Sequence, residues 1–135
     1  GYPVLRQEVR YGEASRIDIL LEGAAGKPVC YVEIKNVHMM RRQHLAEFPD
    51  SRTERGVKHL EELSRMVAAG HRAAMLFLVQ RADARAFSLA ADIDPRYASA
   101  FKRAADAGGE MLCYRCRLST REIVLDRRIV INAVP

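Results

Sequence analysis

The sequence predicts an α/β (α+β) domain with a mixed central sheet flanked by helices. Three observations carry this. Apolar and polar residues alternate in three successive N-terminal segments, which is the period of a strand. Two later segments carry apolar residues at helical intervals behind recognisable start signals. Between them, Ala73-Ala74-Met75-Leu76-Phe77-Leu78-Val79 is an unbroken apolar run too short for a buried helix. Such a run reads as a central strand covered on both faces.

Leu5 to Tyr11 alternates loosely and forms the first expected strand, followed by Arg16 to Glu22 and Val29 to Lys35. The loop Gly23-Ala24-Ala25-Gly26-Lys27-Pro28 has the turn chemistry of an antiparallel connection. Val37 to Asp50 shows no clean period and is expected to be a loop with a short helical piece. Ser51-Arg52-Thr53-Glu54 has the Ser-x-x-Glu spacing of a capping box, and Val57, Leu60, Leu63 and Val67 continue it as a helix up to Gly70. Asp94-Pro95 starts a second helix, with Ala98, Phe101 and Ala105 as its stripe and Gly108 as its stop. Glu110 to Arg117 and Ile123 to Ile131 are the last strands, the latter interrupted by Asp126-Arg127-Arg128. The order β-β-β-α-β-α-β-β implies a mixed sheet with helices against it. With no repeat, low-complexity tract or linker, residues 1–135 read as one domain.

The chain has 22 Lys plus Arg against 17 Asp plus Glu, a formal charge of +5, which is compatible with nucleic-acid binding. No segment resembles a signal peptide and no apolar run spans a bilayer, so no membrane partner and a cytoplasmic location are expected. Three cysteines leave one unpaired in any disulfide scheme, which suits a reducing compartment. Cys113-Tyr114-Arg115-Cys116 has redox or zinc spacing, but on a strand positions three apart face opposite ways, so these read as buried or half-buried thiols.

If the hairpin turn is centred between Ala25 and Gly26, Asp18 lies opposite Glu33, Arg16 opposite Lys35, Ile17 opposite Ile34, Ile19 opposite Val32 and Leu21 opposite Cys30. One face is then apolar and the other charged. Two carboxylates across a ladder repel and ask for a compensating cation. Mg²⁺ or Mn²⁺ suits hard oxygen ligands shared with phosphate oxygens, and Lys35 is placed to orient a water. Cross-strand salt bridges from Arg16 and Lys35 on a solvent-facing strand are the competing arrangement. Arg52, Arg55 and His59 follow at helical spacing near a helix N-terminus, where backbone N–H groups favour a phosphate. Alternatively Arg55 pairs with Glu54 or Glu62 on a solvated face. Asp50 is read as a helix cap, and Arg41 and Arg42 as loop phosphate contacts.

Four segments carry a family resemblance: Ser15-Arg16-Ile17-Asp18-Ile19-Leu20-Leu21, Tyr31-Val32-Glu33-Ile34-Lys35-Asn36-Val37, Phe48-Pro49-Asp50-Ser51-Arg52-Thr53-Glu54-Arg55-Gly56-Val57-Lys58-His59-Leu60 and Leu76-Phe77-Leu78-Val79-Gln80-Arg81-Ala82-Asp83. Asp94-Pro95-Arg96-Tyr97 and Tyr114-Arg115-Cys116 extend it. With them the chain resembles the PD-(D/E)XK nuclease superfamily, whose core is that of restriction endonucleases. More closely, it resembles the C-terminal domain of the sugar fermentation stimulation protein A (SfsA) family. The resemblance implies a DNA-binding protein with a nuclease-type Mg²⁺ or Mn²⁺ site, preceded in the family by an OB-like barrel whose boundary falls at Gly1. The superfamily core usually opens with a helix that can supply another acid, and none is found before Leu5. Residues 38–44 also depart from the Gly-containing loop of the family.

Carried onto this sequence, the resemblance makes Asp18 and Glu33 metal ligands with the Ile34 carbonyl as a further oxygen. Lys35 then positions the attacking water, and Arg16, Arg52, Arg55 and Gln80 contact DNA or a metal-bound water. It implies phosphate-dominated, non-sequence-specific DNA binding and allows a homodimer. The implied activity is a metal-dependent DNA phosphodiesterase. The alternatives are a non-catalytic DNA-binding regulator of sugar (maltose) metabolism and a protein-interaction module.

Overall fold

A computed structural model describes residues 1–11, 15–119 and 121–132. Its elements are β1 (Val4–Tyr11), β2 (Ser15–Glu22), β3 (Cys30–Val37), β4 (Met39–Arg42), β5 (Leu45–Phe48), α1 (Glu54–Ala68), β6 (Arg72–Val79), β7 (Ala86–Leu89), α2 (Pro95–Asp106), β8 (Glu110–Leu118), β9 (Ile123–Arg128) and β10 (Val130–Ile131). Six strands form a mixed sheet in the order β1-β2-β3-β6-β8-β9, with β6 parallel to both β3 and β8. The α/β (α+β) class and the central position of the 73–79 run are as expected.

A second sheet, β10-β7-β5-β4, was not expected. Residues 37–50 are not a loop with a helical piece but carry the β4–β5 hairpin, turned at His44 with a φ of 66°. Four-residue strands are too short to show a period, so this hairpin left little trace in the sequence. The final strand also divides: after Arg128 the chain leaves the first sheet, and Val130–Ile131 pairs with β7.

The cap of α1 differs from the Ser51 capping box. Thr53 is the N-cap, and its Oγ1 accepts the Gly56 N–H at 2.9 Å. Asp50 does not cap the helix and is exposed. Asp94 caps α2 as expected, accepting from Tyr97 N at 3.0 Å, and its other oxygen accepts from Thr53 N at 2.8 Å. One buried carboxylate therefore joins the two helix starts.

The core lies between the six-stranded sheet and α1, α2 and the smaller sheet. Phe77 of β6 is its centre, with ring centroids of Phe87 at 4.6 Å, Phe48 at 5.6 Å and Phe101 at 6.0 Å. Parallel register sets Glu33 beside Met75 and Lys35 beside Phe77. The charged hairpin face is thus roofed by α1, not turned to solvent. Ala74, Leu76 and Leu78 project the other way and lie outside the core cluster. Among the described residues, the helices and the second sheet all pack on the Phe77 side, so the expectation of cover on both faces fails on one.

Candidate active site

The β2–β3 hairpin takes the predicted register, with Ile19 opposite Val32, Leu20 opposite Tyr31 and Leu21 opposite Cys30. The paired residues stop there. Beyond them Asp18 Oδ2 accepts the Ile34 N–H at 2.7 Å, so a carboxylate serves a backbone donor that a carbonyl would otherwise serve. The expected pairs Asp18–Glu33, Ile17–Ile34 and Arg16–Lys35 are consequently not ladder pairs. On the facing strand, Glu8 falls between the pairs Gln7–Ile19 and Val9–Ile17 and takes a φ of 55°, a left-handed conformation unusual for a residue with a side chain. The break in regularity at Glu8 and Asp18 turns both acids toward one cleft.

Glu33 is 3 % exposed. Its Oε1 lies 3.1 Å from His59 Nδ1 and 3.7 Å from Lys35 Nζ, while Oε2 is buried with no hydrogen-bond partner. Lys35 Nζ lies 2.8 Å from His59 Nδ1. Burial pulls the Lys35 amine below the ordinary lysine range, against Glu33 and Asp18, with Arg55 adding to the fall. Burial also raises the Asp18 carboxyl, opposed by the Ile34 N–H and reinforced by Glu33 and Glu8. These shifts are in the directions seen where like and unlike charges are crowded under a partial roof.

The cleft over these groups measures about 590 Å³. Its walls carry the acids Glu8, Asp18, Glu33 and Glu54 and the cations Arg16, Arg55 and Lys58. Asp18, Glu33, Lys35, Arg16 and Arg55 are therefore gathered in one place. Ile34 joins through its N–H. Arg52 instead lines a separate crevice with Asp94 and Arg96 at the helix starts. Gln80 is not among the residues lining the cleft: its amide donates at 3.2 Å to Oδ1 of Asn36, which follows Lys35 on β3 and so faces the other side of the sheet. Arg41 is not a free loop cation, because it is held by Glu47 and Asp92. Arg55 does not take Glu62, which pairs with Arg65 at 3.3 Å.

Sequence reasoning missed the buried polar groups behind Glu33. His59 was read as a surface phosphate contact, yet it is 5 % exposed and faces the hairpin. Glu62 is 1 % exposed, and the hydroxyls of Tyr11 and Tyr97 are buried without partners. The signal for α1 was present: Gly56, His59 and Glu62 recur every three residues along the flank of its apolar stripe.

The donor set fits a hard divalent cation. An unpartnered buried carboxylate oxygen on Glu33 and the carboxylate of Asp18 are the oxygen donors such ions take. Among the described residues no three His, Cys, Asp or Glu side chains converge as a complete cage.

Comparison with known proteins assigns the family. The family model described as the sugar fermentation stimulation protein RE domain matches residues 1–122. The sugar fermentation stimulation protein homolog of Rhodospirillum centenum is 55 % identical over 133 residues, covering 98 % of this chain and 57 % of that protein. Its counterpart in Chelativorans sp. is 56 % identical over 128 residues, covering 95 % and 54 %. The chain thus spans about half the length of these curated relatives. The structure of Pyrococcus furiosus SfsA in complex with Ca²⁺ superposes with a TM-score of 0.84 at 29 % identity, over 95 % of this chain and 54 % of that one. With a family model matching nine-tenths of its length, the chain belongs to the sugar fermentation stimulation protein (SfsA) family.

Proposed function

We propose that this domain is a DNA-binding, Mg²⁺- or Mn²⁺-dependent phosphodiesterase whose centre is Asp18, Glu33 and Lys35. The observation that carries the reading is Glu33: a fully buried carboxylate with one oxygen unpartnered, beside a second carboxylate fixed by a backbone N–H. Lys35 and His59 serve only Oε1, and a buried carboxylate oxygen left unpaired costs on the order of several kcal/mol. Ca²⁺ in the Pyrococcus relative's complex supports a hard-cation site in the family.

Asp18 and Glu33 would hold the ion, which when bound supplies Lewis-acid polarisation of a phosphate oxygen and a more acidic water. The Ile34 N–H donates to Asp18 Oδ2 and so orients the carboxylate that would hold the ion. Lys35 offers N–H donors to the attacking water or to charge developing on the phosphate. His59 restrains Lys35 from behind. Arg16, Arg55 and Lys58 on the cleft walls meet flanking phosphates, which gives backbone binding without base readout. Among the described residues no helix is long and apolar enough to cross a membrane.

A second reading has one observation in its favour. Lys35 is engaged by both His59 and Glu33, so the cluster could tie α1 to the sheet while the cleft cations bind DNA without turnover. This is the non-catalytic regulator of sugar metabolism.

The experiment that separates them is digestion of linear duplex and single-stranded DNA with Mg²⁺, Mn²⁺ or chelator, by the wild type and Glu33→Gln, with mobility shifts in parallel. Cleavage that needs both metal and Glu33 establishes the phosphodiesterase. A metal-independent, salt-sensitive shift with no cleavage, weakened by Arg55→Ala, establishes the regulator.

A further inference from the structure

The β1–β2 ladder carries two charged rows side by side. Gln7 pairs with Ile19 and Val9 with Ile17, so Glu8 and Asp18 share one row. Arg10 is the registered partner of Arg16 in the neighbouring row of the same parity. The rows are two residues apart on each strand, about 6.8 Å, comparable with the step between successive phosphates of a nucleic-acid strand. The row of acids opens on the cleft, and Arg16 stands on the cleft wall beside Asp18. Arg10 lies across the ladder from it on β1, the edge strand of the sheet.

Residues directly opposite on an antiparallel ladder have Cβ atoms roughly 5 Å apart, and like charges there repel. A guanidinium cannot shed its proton to escape. Both side chains are exposed and, among the described residues, neither forms an ion pair, with Glu8 and Asp18 or with any other acid. Other strand arginines are neutralised: Arg6 by Glu22 at 3.1 Å, Arg41 by Asp92 at 2.7 Å, Arg72 by Glu110 at 2.8 Å and Arg115 by Asp126 at 2.8 Å. The pair beside the cleft is left open. Two planar forks converging on one point match the oxygens of a phosphate, which accept from both at once.

We propose that Arg10 and Arg16 clamp one backbone phosphate of a bound nucleic-acid strand, next to the phosphate that lies at Asp18. The acid row then holds the ion and one phosphate, and the arginine row holds the neighbour. This gives the strand a direction, along β2 from Asp18 toward Ser15. It also brings in Arg10, which lies outside the residues lining the cleft. The proposal rests on the DNA-binding part of the reading above and not on turnover, so it stands equally for a nuclease and for a regulator that only binds.

Fluorescence anisotropy of short labelled single-stranded and duplex DNA tests it, in chelator so that nothing is cleaved. The chains are the wild type, Arg10→Gln, Arg16→Gln, the double variant and Arg128→Gln. Glutamine keeps most of the stem and removes the charge. Arg128 is an exposed arginine on β9, the opposite edge of the sheet, and serves as the control for diffuse charge. Wild-type affinity should fall with salt, and each single clamp variant should raise Kd about tenfold at low salt. Because both arginines hold one phosphate, the loss in the double variant should fall well short of the product of the single losses. Arg128→Gln should change Kd by less than about twofold. Circular-dichroism melts of the clamp variants should lie no lower than that of the wild type, since losing one charge of the pair relieves its repulsion. Wild-type binding that Arg10→Gln leaves intact, an equal loss in Arg128→Gln, or a double variant at the full product overturns the clamp and spares the DNA-binding reading. A wild type that binds neither DNA at low salt overturns both.

Discussion

His59 on α1 and Lys35 on β3 meet through Nδ1 and Nζ at 2.8 Å, and the ring nitrogen is also 3.1 Å from Glu33 Oε1. An ammonium and a carboxylate compete for one ring nitrogen: Nδ1 accepts from Lys35 or donates to Glu33, and cannot do both at once. The contact fixes the amine over the carboxylate.

An asparagine amide oxygen falls near the Nδ1 position of histidine, whereas glutamine reaches toward Nε2. If the domain has the proposed phosphodiesterase activity and His59 positions Lys35, His59→Asn keeps most of kcat while His59→Gln and His59→Ala lose roughly ten- to a hundredfold with little change in KM. Equal losses in Asn and Gln variants, tracking their melting temperatures, would reduce the contact to packing.

Gly56 gives α1 its close approach to α2. A Cβ there would lie 2.7 Å from Thr53 Cγ2 and 2.9 Å from Tyr97 Cε2, and Tyr97 is fully buried. Replacing a helical glycine by alanine ordinarily gains about 1 kcal/mol. Here overpacking reverses the sign, and Gly56→Ala should destabilise by about 1–2 kcal/mol in urea unfolding. A stabilised variant would show that Tyr97 can yield.

The cap of α1 separates two readings of one tetrapeptide. Thr53→Ala removes the acceptor for Gly56 N–H and should cost about 1 kcal/mol, whereas Ser51→Ala should fall within about 0.5 kcal/mol. The reverse ranking would restore Ser51 as the cap.

That error shows what local pattern could and could not reach. Ser51-x-x-Glu54 satisfied the spacing rule, but the helix begins where Asp94, forty-one residues away, receives Thr53 N–H. The hairpin register was legible because turn chemistry and alternation both lie within about twenty residues, and it placed Asp18 and Glu33 near each other. The termination of that ladder was not, since it depends on Asp18 taking the Ile34 N–H and on the left-handed Glu8 of a different strand. Likewise the charge at Glu33 and Lys35 suggested a solvent face, and only the packing of α1 buries it. The continuous apolar run 73–79 identified the central strand correctly. It also carried the demand for a second cover, which the described elements do not supply.

Arg41 provides the pH test. Its guanidinium spans Glu47, at 2.9 and 2.8 Å, and Asp92, at 2.7 and 2.9 Å, joining the β4–β5 hairpin to the turn before α2. Hydrogen bonds from Arg41 hold the Asp92 carboxyl down to about 2, below the ordinary 3.8. A carboxyl whose folded pKa lies below its unfolded value stabilises the native state above the unfolded pKa and ceases to do so as pH falls through the folded one. At neutral pH Arg41→Met should therefore melt below the wild type, all the more because Glu47 is left buried without its partner. The gap in melting temperature should hold down to about pH 4 and then narrow toward pH 2 as Asp92 takes up its proton in both states. A gap that stays constant through that window would mean that Arg41 contributes by the packing of its stem and not by its charge.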